Sequence, residues 1–286
     1  MPLKCIAIFP NERKSHSIAI ATEICRFLQS KGIQTVAEDQ HAALLGARCL
    51  SEIDEQTIDI RICLGGDGTI LRLVHRHPLL KAPLLGINLG SLGFLADIPE
   101  PDIYPGLQML LDGHYSIQNR MMMDGNTSRG DSCFAINEVV IHRAQNPCLI
   151  DLAVYVDGIY LNTFAADGLI ISTPSGSTAY SLASGGPILS PDLRAFVLTP
   201  ICPHTISNRP IVLMPKRDIQ VKYLSSLSPA EISYDGISSF GLCTDEIFSA
   251  SASSQEFSLV SLANHDYFST LREKLGWQGR LKTVFN

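Results

Sequence analysis

The sequence predicts a two-part chain: an α/β N-terminal domain with an open, mostly parallel sheet, then an all-β, sandwich-like C-terminal domain. Three observations predict it. The first third alternates strand-like and helix-like spacing. The middle and later parts carry many short apolar runs separated by Pro, Ser, Asn and Gly. The final stretch returns to helical spacing.

Lys4–Phe9 reads as the first strand. Ala21, Ile24, Cys25 and Leu28 then recur at the spacing of one helix face, and Gly32 is placed to end that helix. Ile33–Ala37 and Ile58–Leu64 read as strands, Ile70–Val74 as a helix, and Leu84–Asn88 as another strand. Further on, Ala135–His142, Leu152–Val156, Ile159–Asn162 and Gly168–Ser172 are strand-like, with Asp157-Gly158 as a hairpin turn. Ala195–Leu198, Ile211–Met214, Ile219–Leu224, Ala230–Tyr234 and Phe257–Leu262 continue the series. Tyr267, Leu271 and Leu275 share a face of a last helix, within Asp266–Trp277. The expected boundaries are 1–115 for the α/β domain, 116–262 for the β-rich domain and 263–286 for a tail helix packing back on the first domain.

Composition narrows the function. The chain has 286 residues, 45% hydrophobic and 17% charged, as a compact core requires. The net charge of −6 and the lack of a basic stripe argue against a nucleic-acid binder. No secretory leader or long apolar span is visible, so a cytoplasmic protein without a membrane partner is expected. None of the eight cysteines forms a Cys-x-x-Cys pair, and several fall in apolar runs, which suits reduced, buried thiols.

One segment carries unusual chemistry. Gly65-Gly66-Asp67-Gly68-Thr69 directly follows an apolar strand and opens a helix. Glycines let a phosphate approach the backbone, and a helix N-terminus favours an anion. Gly65, Gly66, Gly68 and Thr69 are therefore the candidate phosphate-binding residues. A carboxylate in that setting calls for a chemical role. Asp67 can accept a proton or hold a divalent metal, unless it merely caps the helix. The turn is neither a Walker A loop nor Gly-x-Gly-x-x-Gly.

Strand–Gly-Gly-Asp-Gly-Thr–helix resembles the motif shared by NAD kinases, lipid kinases and 6-phosphofructokinases. Later segments resemble the bacterial NAD kinase family in particular: Gly86–Leu95, Ala135-Ile136-Asn137-Glu138-Val139, Asp167–Ser181, Pro203-His204-Thr205 through Arg209-Pro210, and Lys274–Trp277. The resemblance runs from about Ile62 to Trp277, in order. It implies transfer of the γ-phosphate of ATP to the 2′-hydroxyl of the adenosine ribose of NAD. It also implies a divalent metal such as Mg²⁺, and a homo-oligomer, dimer or tetramer.

Carried onto this sequence, the resemblance makes Asp67 the catalytic base. The NAD contacts become Asp67, Gly68, Asn137, Glu138, Asp167, Ser175, Thr178, Ala179, Tyr180 and Ala183. Glu and Asn suit a vicinal diol, small hydroxyl residues suit an adenine edge, and Tyr180 offers a flat face. Ser175 or Ser177 can also cap a helix there. No metal-ligand set is legible, and the metal can ride on the triphosphate. His75 and His77 read as surface residues. Ala165, Cys148 and Ile237 replace polar side chains that some members direct at the dinucleotide. The competing functions are a lipid or sugar kinase using the same turn, and a non-catalytic NAD-sensing module.

Overall fold

The computed structural model describes residues 2–90, 92–96, 98–263 and 266–277. The chain forms two units. One comprises Met1–Gln118 and Ser258–Asn286, the other Asn119–Phe257.

The first unit opens with β1 (Cys5–Pro10), α1 (Ser15–Ser30), β2 (Gln34–Ala37), α2 (Asp39–Leu45) and β3 (Arg48–Cys49). β4 (Ile60–Leu64), α3 (Asp67–Arg76), β5 (Leu84–Asn88), β6 (Ile98–Pro99) and α4 (Ile103–Leu111) follow. The sheet order is β3-β2-β1-β4-β5, parallel throughout, and β6 pairs in parallel with the end of β5. Every residue of β1, β4 and β5 is buried, as expected of parallel strands covered on both faces. Ile6, Ile8, Ile62 and Ile87 pack with Ile24 and Leu28 of α1 and Leu107 and Leu110 of α4. Gly32, two residues past the end of α1, has a φ of 79° that suits glycine. α2 and α4 go beyond the sequence reading. Pro105 and Gly106 obscure α4, but Pro105 lies in the first turn, where no backbone N–H is needed. Gly106 lets the helix lie against Leu262.

The second unit is antiparallel. Its strands are β7 (Tyr115–Thr127), β8 (Ser132–Ala135), β9 (Glu138–His142), β10 (Ile150–Val156), β11 (Ile159–Ala166) and β12 (Gly168–Ser172). The short helix α5 (Tyr180–Ala183) precedes β13 (Phe196–Ile201), β14 (Ile211–Leu213), β15 (Ile219–Tyr223), β16 (Ala230–Tyr234), β17 (Ser238–Leu242) and β18 (Ile247–Leu262). One layer is ordered β14-β13-β12-β9-β16-β17 and the other β11-β10-β15-β18. Ile141, Ile171, Leu198 and Ile232 from the first layer share a core with Leu152, Val154, Val221 and Phe248 from the second, which makes the unit a sandwich. The stretch 135–142 is two strands, not one. The break falls at Ile136-Asn137, whose N–H groups bond to Asp235 instead of to a ladder.

β18 serves both units. Ile247–Ala250 pair with β15, and Leu259 pairs in parallel with Leu84. Val260 and Leu262 enter the core of the first unit. α6 (Tyr267–Leu275) follows, with Asp266 accepting the Ser269 N–H at its start and Gly276 left-handed at its end. Among the described residues no helix is long and apolar enough to cross a membrane.

Candidate active site

In the first unit the chain leaves β1 toward β2 on one side and leaves β4 toward β5 on the other. The carboxyl ends of β1 and β4 therefore flank a topological switch point, where open α/β sheets form their ligand crevice. A crevice there is lined by Asn11, Arg13, Thr69, Arg72 and Arg76 among others. The Gly65–Thr69 turn sits at its edge because β4 ends at Leu64 and α3 begins at Asp67.

Each residue of the turn has a distinct environment. A Cβ on Gly65 would lie 2.4 Å from the Thr69 hydroxyl, so glycine is required there. The Gly65 N–H bonds to the Ile87 carbonyl. Gly66 precedes the helix with extended backbone. Asp67 and Gly68 occupy the first two helical positions, whose N–H groups have no acceptor within the helix. Thr69 Oγ1 accepts from Asn11 Nδ2 at 3.0 Å and from Arg72 Nη2 at 3.4 Å.

Asp67 does not cap α3. Its Oδ2 accepts the Phe94 N–H at 2.8 Å, and its Oδ1 accepts those of Leu95 and Ala96, both at 3.0 Å. Gly93 makes this possible, since a Cβ there would fall 2.0 Å from Asp67 Oδ1. A carboxylate has about four acceptor positions, so one remains, on Oδ2. α6 touches the same turn: Lys274 donates to the Leu92 carbonyl and lies 5.0 Å over the Phe94 ring.

Beside the crevice lies a charged cluster. Glu38 is bound by Arg76 Nη1 at 2.8 Å and by His77 Nε2 at 2.7 Å. Burial raises the Glu38 carboxyl, but the hydrogen bonds from His77 and Arg76 outweigh it and the net shift is downward. His77 is thus half-buried and hydrogen-bonded to Glu38, which corrects its reading as a surface residue. Glu12, Glu38 and His41 lie close enough to share a cation.

The second unit holds a cavity of about 560 Å³, lined by Glu138, His142, Arg143, Asp167, Tyr180 and Ser233 among others. Three of the expected NAD residues, Glu138, Asp167 and Tyr180, therefore share one cavity. Glu138 opens β9 and is buried, and one of its oxygens, Oε2, has no hydrogen-bond partner. Burial and then the charge of Asp235 push its carboxyl up to about 8, against a hydrogen bond from the Tyr180 N–H. Asp167 pairs with Arg143 Nε at 2.7 Å. Asn137 is half-buried, and its carbonyl accepts the Thr173 N–H at 2.8 Å. Gly176 lies flat on that peptide, since a Cβ would sit 2.2 Å from the Asn137 oxygen.

The remaining expected residues lie on the turn after β12. Ser175, Thr178 and Ala179 are half-buried, and Ala183 and Tyr180 are exposed. Neither serine takes the capping role that the sequence allowed. Thr173 Oγ1 accepts the Gly176 N–H, while Ser177 bridges Pro174 and Leu189. Two residues were missed by sequence reasoning. Arg143 had no local signal at all. Asp235 had one, as half of an Asp-Gly turn, but that signal speaks only of a hairpin.

Residues 6–115 match the family described as ATP-NAD kinase N-terminal domain, and residues 136–262 the ATP-NAD kinase C-terminal domain. A protein named NAD kinase from Protochlamydia amoebophila is 70% identical over 277 residues, covering 97% of this chain and 99% of that one. An NAD kinase from Geobacter metallireducens is 36% identical, covering 97% of this chain and 100% of the other. The fold matches a yeast NADH kinase complexed with NADH at a TM-score of 0.88 and 25% identity, covering 100% of this chain and 91% of the other. An Archaeoglobus fulgidus NAD kinase in complex with ATP matches at 0.74 and 25% identity, covering 97% of this chain and 100% of that one. The motifs, the two-unit fold and these relatives agree: the chain belongs to the NAD kinase family.

Proposed function

We propose that Asp67 accepts the proton of the 2′-hydroxyl of the adenosine ribose as the γ-phosphoryl group of ATP is transferred to it, giving NADP. The enzyme is an ATP-dependent NAD kinase. The observation that carries the assignment of residues is the cavity that Glu138, Asp167 and Tyr180 line together. Its size is that of a small-ligand pocket.

On this reading Gly66, Gly68 and Thr69, with Gly65 behind them, handle the phosphates. N–H groups at a helix start and the nearby Arg72 supply the positive field that a triphosphate needs. Asn137 and Glu138 hold ribose hydroxyls. Asp167, Ser175, Thr178, Ala179, Tyr180 and Ala183 form the rest of the NAD site, in a β-rich NAD-binding domain. Phosphoryl transfer is mostly positioning and electrostatics, so a base with one open acceptor position suffices.

A divalent metal belongs to the same reading. The Glu12–Glu38–His41 group does not fit as its resident site. Glu38 is already bound by Arg76 and His77, and the Arg76 positive charge opposes a cation. Mg²⁺ therefore arrives with the triphosphate. A cytoplasmic location agrees with eight free cysteines. A homo-oligomer agrees with the edge strand β14, which exposes Ile211 and Val212 beside an exposed Met214.

Asp67→Asn is the test. NADP formation from NAD and ATP should fall by about 10²-fold or more, while NAD binding by calorimetry stays within a few-fold. Normal turnover by the variant would remove Asp67 as the base. NADH and polyphosphate in parallel assays identify the preferred acceptor and donor.

A further inference from the structure

We propose that Asp235 is a positioning residue for NAD, tying down the backbone of Ile136–Glu138 so that the side chains of Asn137 and Glu138 meet the dinucleotide in one fixed geometry. The inference rests on the reading that these two residues contact NAD.

The geometry is specific. Asp235 follows β16 in a left-handed conformation, with φ of 49°, and is buried. Its Oδ2 accepts the Ile136 N–H at 2.9 Å. Its Oδ1 accepts those of Asn137 at 2.8 Å and Glu138 at 3.2 Å. The tie is reciprocal, because the Asp235 N–H donates to the Glu138 carbonyl at 3.0 Å. β8 ends at Ala135 and β9 starts at Glu138, so these N–H groups fall where the strand is broken. Buried N–H groups need an acceptor, and one carboxylate serves three of them.

A second observation points to a ligand. Glu138 Oε2 is buried and unpartnered. The charged groups lining its cavity are Asp167 and Arg143, paired with each other, and His142, which lies 3.9 Å from Glu231. The Tyr180 N–H bonds the Glu138 carboxyl, and Asp235 faces it from the β16–β17 turn. With Asp235 negative alongside, Glu138 keeps its proton at neutral pH and offers an O–H to a hydroxyl or carbonyl of the dinucleotide.

Asp235→Asn and Asp235→Gly in the full chain test this, with Glu138→Gln as reference. Both replacements tolerate the left-handed backbone, so neither strains the turn. KM for NAD should rise about tenfold or more in both, the equivalent of about 1.4 kcal/mol, with KM for ATP within about twofold. In Asp235→Asn the alkaline limb of kcat/KM for NAD, set by ionisation of Glu138, should move to lower pH, because the negative charge that raises it is gone. Glu138→Gln should lack that limb. Asp235 variants that keep both KM for NAD and the limb would overturn the proposal. So would a loss confined to kcat and melting temperature, because a prop for the fold has no reason to select NAD or to move a titration. Wild-type kinetics in Glu138→Gln would instead sink the NAD reading of Glu138, which separates the two failures.

Discussion

Glu138 is a carboxyl that folding forces to keep its proton. Burial and Asp235 raise it to about 8, whereas an unfolded chain leaves it near about 4.3. Between those values the folded state binds the proton more tightly than the unfolded state. The sign follows: stability is greatest below the unfolded value and falls as pH rises toward the folded value, by at most about 1.4 kcal/mol per pH unit, then levels off. Glu138→Gln cannot ionise and should lose this slope. Urea midpoints at acid, neutral and alkaline pH measure it, and profiles that run parallel for both proteins would contradict the protonated state. The sequence marked Asn137-Glu138 only through its resemblance to a family motif. Nothing local reveals the protonation, because it comes first from burial in the folded unit and then from a charge 97 residues away along the chain.

At the scale of elements, the two glycine-bearing turns use glycine for different reasons. Gly176 is glycine because a Cβ would run into the Asn137 backbone at 2.2 Å, and backbone cannot step aside cheaply. Gly66 has nothing within 4 Å of a Cβ, and its φ of −96° is open to any residue. The fold gives no reason for glycine there, whereas a closely approaching phosphate does. Gly176→Ala should therefore cost about 1–3 kcal/mol of stability and raise KM for NAD. Gly66→Ala should melt as the wild type does and raise KM for ATP. Thermal melts with paired KM measurements decide, and a destabilised Gly66→Ala would refute the phosphate explanation. Both glycines were visible in the sequence, but the neighbour that each excludes or admits was not.

For the molecule as a whole, the return of the chain matters most. Val260 and Leu262 of β18 and Leu271 of α6 are buried in the first unit, although they come last in the sequence. Losing side chains of this size from a core costs about 2–5 kcal/mol each when truncated to alanine, and domain stability is about 5–15 kcal/mol. A chain ending at Phe257 should thus lose cooperative folding of the first unit. The antiparallel unit, whose core lies between Met121 and Ala250, should keep its β signal. Circular dichroism melts report both, and an unchanged two-unit melt would show that the returning segment is dispensable.

By itself the sequence determined what depends on local spacing. The alternation of strand-like and helix-like spacing marked a parallel sheet, and the many short strands separated by Pro, Ser, Asn and Gly marked the sandwich. Gly65–Thr69 was legible as a candidate phosphate turn because close approach needs glycine wherever it occurs. Tertiary structure decided which groups those side chains meet. Asp157 and Asp235 each open an Asp-Gly turn in left-handed backbone, with φ of 52° and 49°. One gathers the N–H groups of Lys216 and Arg217 on an exposed loop, the other those of Ile136–Glu138 at the cavity. Asp67 likewise finds its partners 27 to 29 residues away. A carboxylate bonds whichever N–H groups the folded backbone brings to it, and that choice is made by strand order and not by the residues on either side.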